Sequence, residues 1–328
     1  MNVSAPGDAL PHRRSNLAKL YGAEAVSGAG DGIMWVALVA SLAEQPRDGL
    51  WIGLAVIARL GPRALLSLPA GAVLDGAALR PVLVGADLGR SFMMGLATGL
   101  VLAGAGPGPI LAAVLLSYVV AVPTRPGLSA VLPRVSGETH LAEANAVLST
   151  TRQVMTFIGP LIGVGIVAWS SSAAYAINAL SFAMSALLIA SLRGVPWPTR
   201  TRRHDGRHRR RWRALGSSWG SSLDTVRAVR GLPALVGLVG VMYLVRGAEM
   251  VLYVIVVRDV LGEEPASFGY LAGAVGLGAV LATPIARRAG DTARPRRAVV
   301  IGVGLTAVPT AALGFSGSLL VAAALLVF

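Results

Sequence analysis

Cysteine is absent from this 328-residue chain, which excludes disulfides, thiolate metal sites and cysteine nucleophiles. Charge is scarce as well. Only 14% of the residues are charged and 54% are hydrophobic, against roughly 25% charged in soluble domains. A soluble fold of this length could not hide so much apolar surface, so the composition points to an integral membrane protein. No G-x-x-x-x-G-K-[ST] run occurs, so the chain carries no P-loop motor. H-E-x-x-H and paired intramembrane aspartates are missing too. The expectation is a protein that is not an enzyme and needs no cofactor.

What is present is a series of apolar runs. A helix needs about 20 apolar residues to cross the hydrocarbon core. On that rule, spans fall at 18–43, 50–74, 81–104, 108–130, 142–168, 171–192, 232–256, 265–287 and 297–314, with a tenth beginning near 317. The sequence stops at Phe328 inside an apolar run, which reads as an incomplete C-terminal half.

The net charge of +13 is not a nucleic-acid signature, because the arginines sit mostly in alternate connections, as membrane topology requires. The densest run, Arg200–Arg213 (RTRRHDGRHRRRWR), cannot enter a bilayer: each Arg near the midplane costs at least ~2.5–3.5 kcal/mol on insertion scales. It is expected to be cytoplasmic. Arg13, Arg14 and Lys19 hold the N-terminus on the same side, with no cleavable signal before the first span. The domain reading is a tail at 1–17, a six-helix bundle at 18–192, a basic linker at 193–231 and a partial bundle at 232–328. Within the linker, Trp212–Arg230 reads as an amphipathic helix on the inner face. His204 and His208 have the spacing of a metal pair but no accompanying cluster, so no metal is expected.

Two motifs stand at matching places. Gly71-Ala-Val-Leu-Asp75-Gly-Ala-Ala-Leu-Arg80 joins the second and third spans. It resembles the loop signature of the major facilitator superfamily, G-x-x-x-D-R-x-G-R-R, at Gly71, Asp75 and Arg80, and departs from it at Gly76, Ala78 and Leu79. Gly159-Pro160-Leu-Ile-Gly163-Val-Gly165 in the fifth span resembles the tail of that superfamily's antiporter signature, with a Val inserted. Stretches 86–90, 132–154 and 177–188 are similar to the exporter branch that includes siderophore and macrolide efflux proteins. The resemblance implies an all-α bundle of two six-helix halves, the second incomplete here, and a carrier in the cell membrane. It further implies a loop that latches one half against the other, its expected partner being an eleventh span, and a fifth-span segment that seals the extracellular route.

Charged residues inside spans carry the functional reading. They are Glu24 and Asp31, Arg59 and Arg63, Asp87 and Arg90, Arg152, and Arg246 with Glu249. Spacings of seven, four and three put the first three pairs each on one helix face. Ionised groups facing lipid would be intolerable, so these face a protein interior. At about 1.5 Å per residue, Asp31 lies about 20 Å into its span and Arg59 about 14 Å from the outer end of its own. Both fall near the midplane, where such carriers place substrate and coupling ions.

Asp31 is therefore expected to be the proton-responsive group, with Arg59 or Arg152 as its regulator. The competing reading is a permanent Asp31–Arg59 structural pair. Asp87 and Arg90 are expected to support the loop formed with Gly71, Asp75 and Arg80. Arg246 and Glu249 are expected to pair within one turn. The functional expectation is proton-coupled efflux of an amphipathic small molecule across a lipid bilayer. The alternative is a non-transporting sensor or scaffold, or an inactive truncated carrier.

Overall fold

The computed structural model describes residues 12–46, 48–74, 78–197, 232–290 and 308–327. Its helices are α1 (Arg13–Ala43), α2 (Asp48–Leu74), α3 (Leu79–Leu102), α4 (Pro107–Val120), α5 (Thr124–Ser136), α6 (Leu141–Trp169) and α7 (Ser171–Ala190). After the linker come α8 (Leu232–Ile255), α9 (Phe268–Gly290) and α10 (Leu319–Val327). The all-α expectation holds. Seven described helical segments are long and apolar enough to cross a membrane. α3 is 24 residues long but carries Arg80, Asp87 and Arg90, which lowers its hydropathy. The basic run Arg200–Arg213, the helix expected at Trp212–Arg230, His204, His208 and Asp75 lie outside the described residues, as does most of the span expected at 297–314.

Two boundaries differ from expectation, each for a physical reason. α1 begins at Arg13 rather than 18, because its polar first turn is anchored. Asn16 Nδ2 donates to the Arg193 carbonyl (2.7 Å) and Lys19 Nζ to the Ser191 carbonyl (2.8 Å). Arg80 Nη2 donates to the Ala190 carbonyl. Together these satisfy carbonyls that the end of α7 leaves without helical donors. The span expected at 108–130 is two helices, continuing to Ser136 and broken at 121–123. Pro123 and Pro126 remove two backbone donors in succession. The chain passes the break with tighter bonds, Val122 N–H to the Val119 carbonyl and Thr124 N–H to the Ala121 carbonyl.

α1 is the axis of the N-terminal bundle. It packs against α6 and α7 along most of its length, and against α2 and α5. Gly32 through Ala40 are all buried, as befits a helix apolar on every side. α3 shows the opposite pattern. Leu88, Phe92 and Leu96 are exposed, the middle one at 68%, while Asp87 and Arg90 on the other face are buried. A soluble protein would not present that apolar stripe to water; here it faces lipid, and the charges face inward.

Small residues set the closest crossings. A Cβ on Gly32 would lie 2.8 Å from Gly159 Cα and 2.8 Å from Pro160 Cδ, so α1 and α6 meet backbone to backbone. On its other side α6 meets α9. There a Cβ on Gly276 would come within 2.6 Å of the Phe157 backbone nitrogen. Helices in lipid associate through such close van der Waals packing. Gly159, Pro160 and Gly163 are buried; both glycines face α1, and across the divide between the bundles the Pro160 carbonyl lies beside Gly269 of α9. Across the same divide α2 touches α8, and Arg258 Nη1 donates to the Ala43 carbonyl at the end of α1 (3.0 Å).

Candidate functional site

Most of the inward charges of the N-terminal bundle converge on one chamber. Its wall runs along α1 from Leu20 to Asp31, eleven residues or about 16 Å of helix rise. It encloses about 970 Å³ of empty space, part of it open to solvent. Glu24, Asp31 and Asp87 line it, and so do Arg59, Arg63, Arg90, Arg125 and Arg152. With all eight ionised, the chamber carries two more positive than negative charges.

Two ion pairs cross this space. Arg90 Nη2 donates to Asp31 Oδ2 at 2.8 Å, joining α3 to α1. Arg152 Nε donates to Glu24 Oε1 at 2.5 Å, joining α6 to α1. The Arg90 guanidinium also lies over the Phe182 ring, 3.7 Å from its centre, a placement worth up to about 2 kcal/mol when desolvated. Asp87 Oδ1 is 3.9 Å from Arg90 Nη1, and Asp87 Oδ2 accepts from Ser185 Oγ at 2.6 Å. Arg90 thus stands between two carboxylates, bonded to one and close to the other.

This corrects the expected pairing. The partner of Asp31 is Arg90, not Arg59 or Arg152. Arg59 stacks on Trp35 at 4.3 Å, and Arg152 is held by Glu24. Asp87 and Arg90, read from depth as supports of the cytoplasmic loop, stand in the chamber wall. Of the loop residues themselves, Asp75 lies outside the described residues, Gly71 falls within α2, and Arg80 binds the end of α7. Glu24 and Arg63, intramembrane charges to which the sequence assigns no role of their own, stand in the chamber wall, on the helix faces of Asp31 and Arg59; Arg125 and Tyr118 join them there, and no sequence pattern marks either.

A second, apolar chamber continues from the first. It holds about 660 Å³ of empty space, part of it open to solvent, and shares Gly28, Asp31, Arg59 and Thr156 with the first. Its wall combines Trp35 and Pro160 of the N-terminal bundle with Met250, Tyr253, Phe268 and Val275 of the C-terminal one. Glu249 is buried and lines this chamber. Arg246 lies on the same helix, its side chain outside the described residues. Pro160 has no N–H, so the Thr156 carbonyl loses its helical donor beside the place where the chambers join. Asp31 and Arg59 stand at that junction, between the two bundles.

Residues 20–328 match the Major Facilitator Superfamily. The chain belongs to this superfamily. No curated protein matches it. As a Major Facilitator Superfamily member the chain is a multi-pass membrane transporter of small molecules. The pattern G-x-S-x-G does occur once, at Gly216–Gly220. It lies in the polar linker outside the described residues, and gives no ground for reading a hydrolase into this Major Facilitator Superfamily chain. Among the described residues no group of three or more His, Asp or Glu could hold a metal ion.

Proposed function

We propose that the protein is a proton-coupled exporter of an amphipathic small molecule, and that Asp31 carries the proton. One observation supports this most: Asp31, bonded to Arg90, lines both the polar chamber of the N-terminal bundle and the apolar chamber walled by both bundles. Protonation of Asp31 removes the negative partner of Arg90. The nearest remaining carboxylate is Asp87 at 3.9 Å, so Arg90 turns toward α3's own acid and its tie to α1 is released. α1 packs on α6, and α6 on α9, so loosening α1 reaches the interface between the bundles. A proton is thereby exchanged for a change of access, the requirement of a secondary carrier.

The basic end of the bundle, with Arg13, Arg14, Lys19 and Arg193, supports a cytoplasmic N-terminus in the cell membrane by the charge bias of topology. The loop from Gly71 to Arg80 is assigned the role of a cytoplasmic latch, and Gly159, Pro160 and Gly163 that of the seal on the outer route.

The test uses inside-out vesicles containing the full chain, with an imposed pH gradient read by acridine quenching. Amphipathic solutes of each charge class are added in turn. Chain-dependent loss of the gradient on addition of at least one class is expected. A gradient untouched by every class contradicts proton coupling.

A further inference from the structure

We infer that the polar chamber holds an anionic group, and that the transported molecule is an amphipathic anion: a carboxylate, sulfonate or phosphate on an apolar body. The inference rests on the transport reading for the word transported, but the anion site stands on its own geometry.

The chamber's acids are already committed. Glu24 holds Arg152, Asp31 holds Arg90, and Asp87 accepts from Ser185 beside Arg90. Among the described residues, Arg59, Arg63 and Arg125 have no carboxylate within ion-pair distance. Arg63 lies within the field of two like charges, Arg125 and Arg90, as well as that of Asp31, which is already bonded to Arg90. Cations gathered at membrane depth repel one another strongly in a medium of low dielectric. An anion among them offsets that cost.

Unsatisfied polar atoms point the same way. Buried without a hydrogen-bond partner on residues of the chamber wall are Arg59 Nη1, Arg90 Nε and the Tyr118 hydroxyl, the two guanidinium groups resting on aromatic rings. Tyr118 is only 3% exposed. All three can donate a hydrogen bond, and buried donors normally have acceptors. What the chamber lacks is a cluster of acceptor oxygens with negative charge, which is how guanidinium groups recognise oxyanions. The apolar chamber next door, walled by Trp35, Met250, Tyr253, Phe268 and Val275, receives the rest of the molecule.

Two probes with one aromatic body separate the charge from the body: 8-anilinonaphthalene-1-sulfonate and the neutral N-phenyl-1-naphthylamine. Binding is measured to the full chain in nanodiscs of zwitterionic lipid, with empty nanodiscs subtracted. The sulfonate is expected to bind at least about tenfold more tightly than the neutral probe. Arg63→Gln and Arg125→Gln each weaken the sulfonate about tenfold and leave the neutral probe unchanged. Arg63→Lys and Arg125→Lys, which keep the charge and the fold, retain most of the affinity. Nanodiscs containing anionic lipid distinguish sources: competition by that lipid shows a headgroup reaching the same anion site, and no competition reserves it for solutes. Equal binding of both probes, or Gln variants that lower both alike, overturns the inference. Gradient-driven flux of cationic or neutral solutes without arginine-dependent sulfonate binding sinks the anion site and leaves transport standing. Arginine-dependent sulfonate binding without flux does the reverse.

Discussion

Asp31→Asn abolishes proton-driven flux while leaving the protein in the membrane. The substitution keeps the shape of the side chain and removes its ability to change charge. Arg90 is 5% exposed, and in the native chain its bonded carboxylate is Asp31 at 2.8 Å. Removing one member of a buried ion pair costs about 3–5 kcal/mol, reduced here because Asp87 stands within 3.9 Å. Some loss of thermal stability therefore accompanies the loss of coupling. The double variant Asp31→Asn/Arg90→Gln separates the two effects, since it removes both charges together. Its melting temperature recovers toward the native value, and its flux stays absent. Retained coupling in Asp31→Asn removes Asp31 from the mechanism. Recovery of flux in the double variant makes the pair merely structural.

The second large effect is steric. Gly32→Ala puts a methyl group 2.8 Å from Gly159 Cα and Pro160 Cδ. Both neighbours belong to the body of α6 and cannot turn aside as a flexible side chain would. Overpacking of this kind costs about 1–3 kcal/mol, more than the roughly 1 kcal/mol that Ala gains over Gly in a helix. The melting temperature of the purified protein in detergent falls by several degrees. Gly95→Ala is the control. Nothing lies within 4 Å of its added carbon, so its melting temperature holds or rises. Equal behaviour of the two variants removes the α1–α6 crossing from the account.

These two variants mark what the sequence could and could not reveal. The helices were legible, because an apolar run of sufficient length in lipid has few alternatives to a helix. The burial of the intramembrane charges was legible for the same reason: lipid tolerates no other arrangement. The pairing was not. Asp31 meets Arg90 rather than Arg59 because helix rotation and tilt decide which side chains face each other, and a single sequence encodes neither. Depth counted along a helix is also no finer than the reach of an arginine, so Asp87 and Arg90 read as loop supports. Glycine spacing had the same ambiguity. Neither Gly95-x-x-x-Gly99 nor Gly273-x-x-Gly276 says as text whether it meets a neighbour. The first pair has open space beside it, and the second lies against α6. The break at 121–123 was written in Pro123 and Pro126, and a window of mean hydropathy passes over it.

The intramembrane charges line a wet cavity, and the opposite helix faces meet lipid. The absence of cysteine permits a direct measurement by single substitutions labelled with a membrane-impermeant maleimide in sealed vesicles. Ser27 and Thr156 line the polar chamber, whereas Phe92 and Leu180 are exposed on the outer faces of α3 and α7. Ser27→Cys and Thr156→Cys are expected to label, and Phe92→Cys and Leu180→Cys to stay unlabelled. Labelling at Phe92 and Leu180 with Ser27 and Thr156 silent would contradict the account.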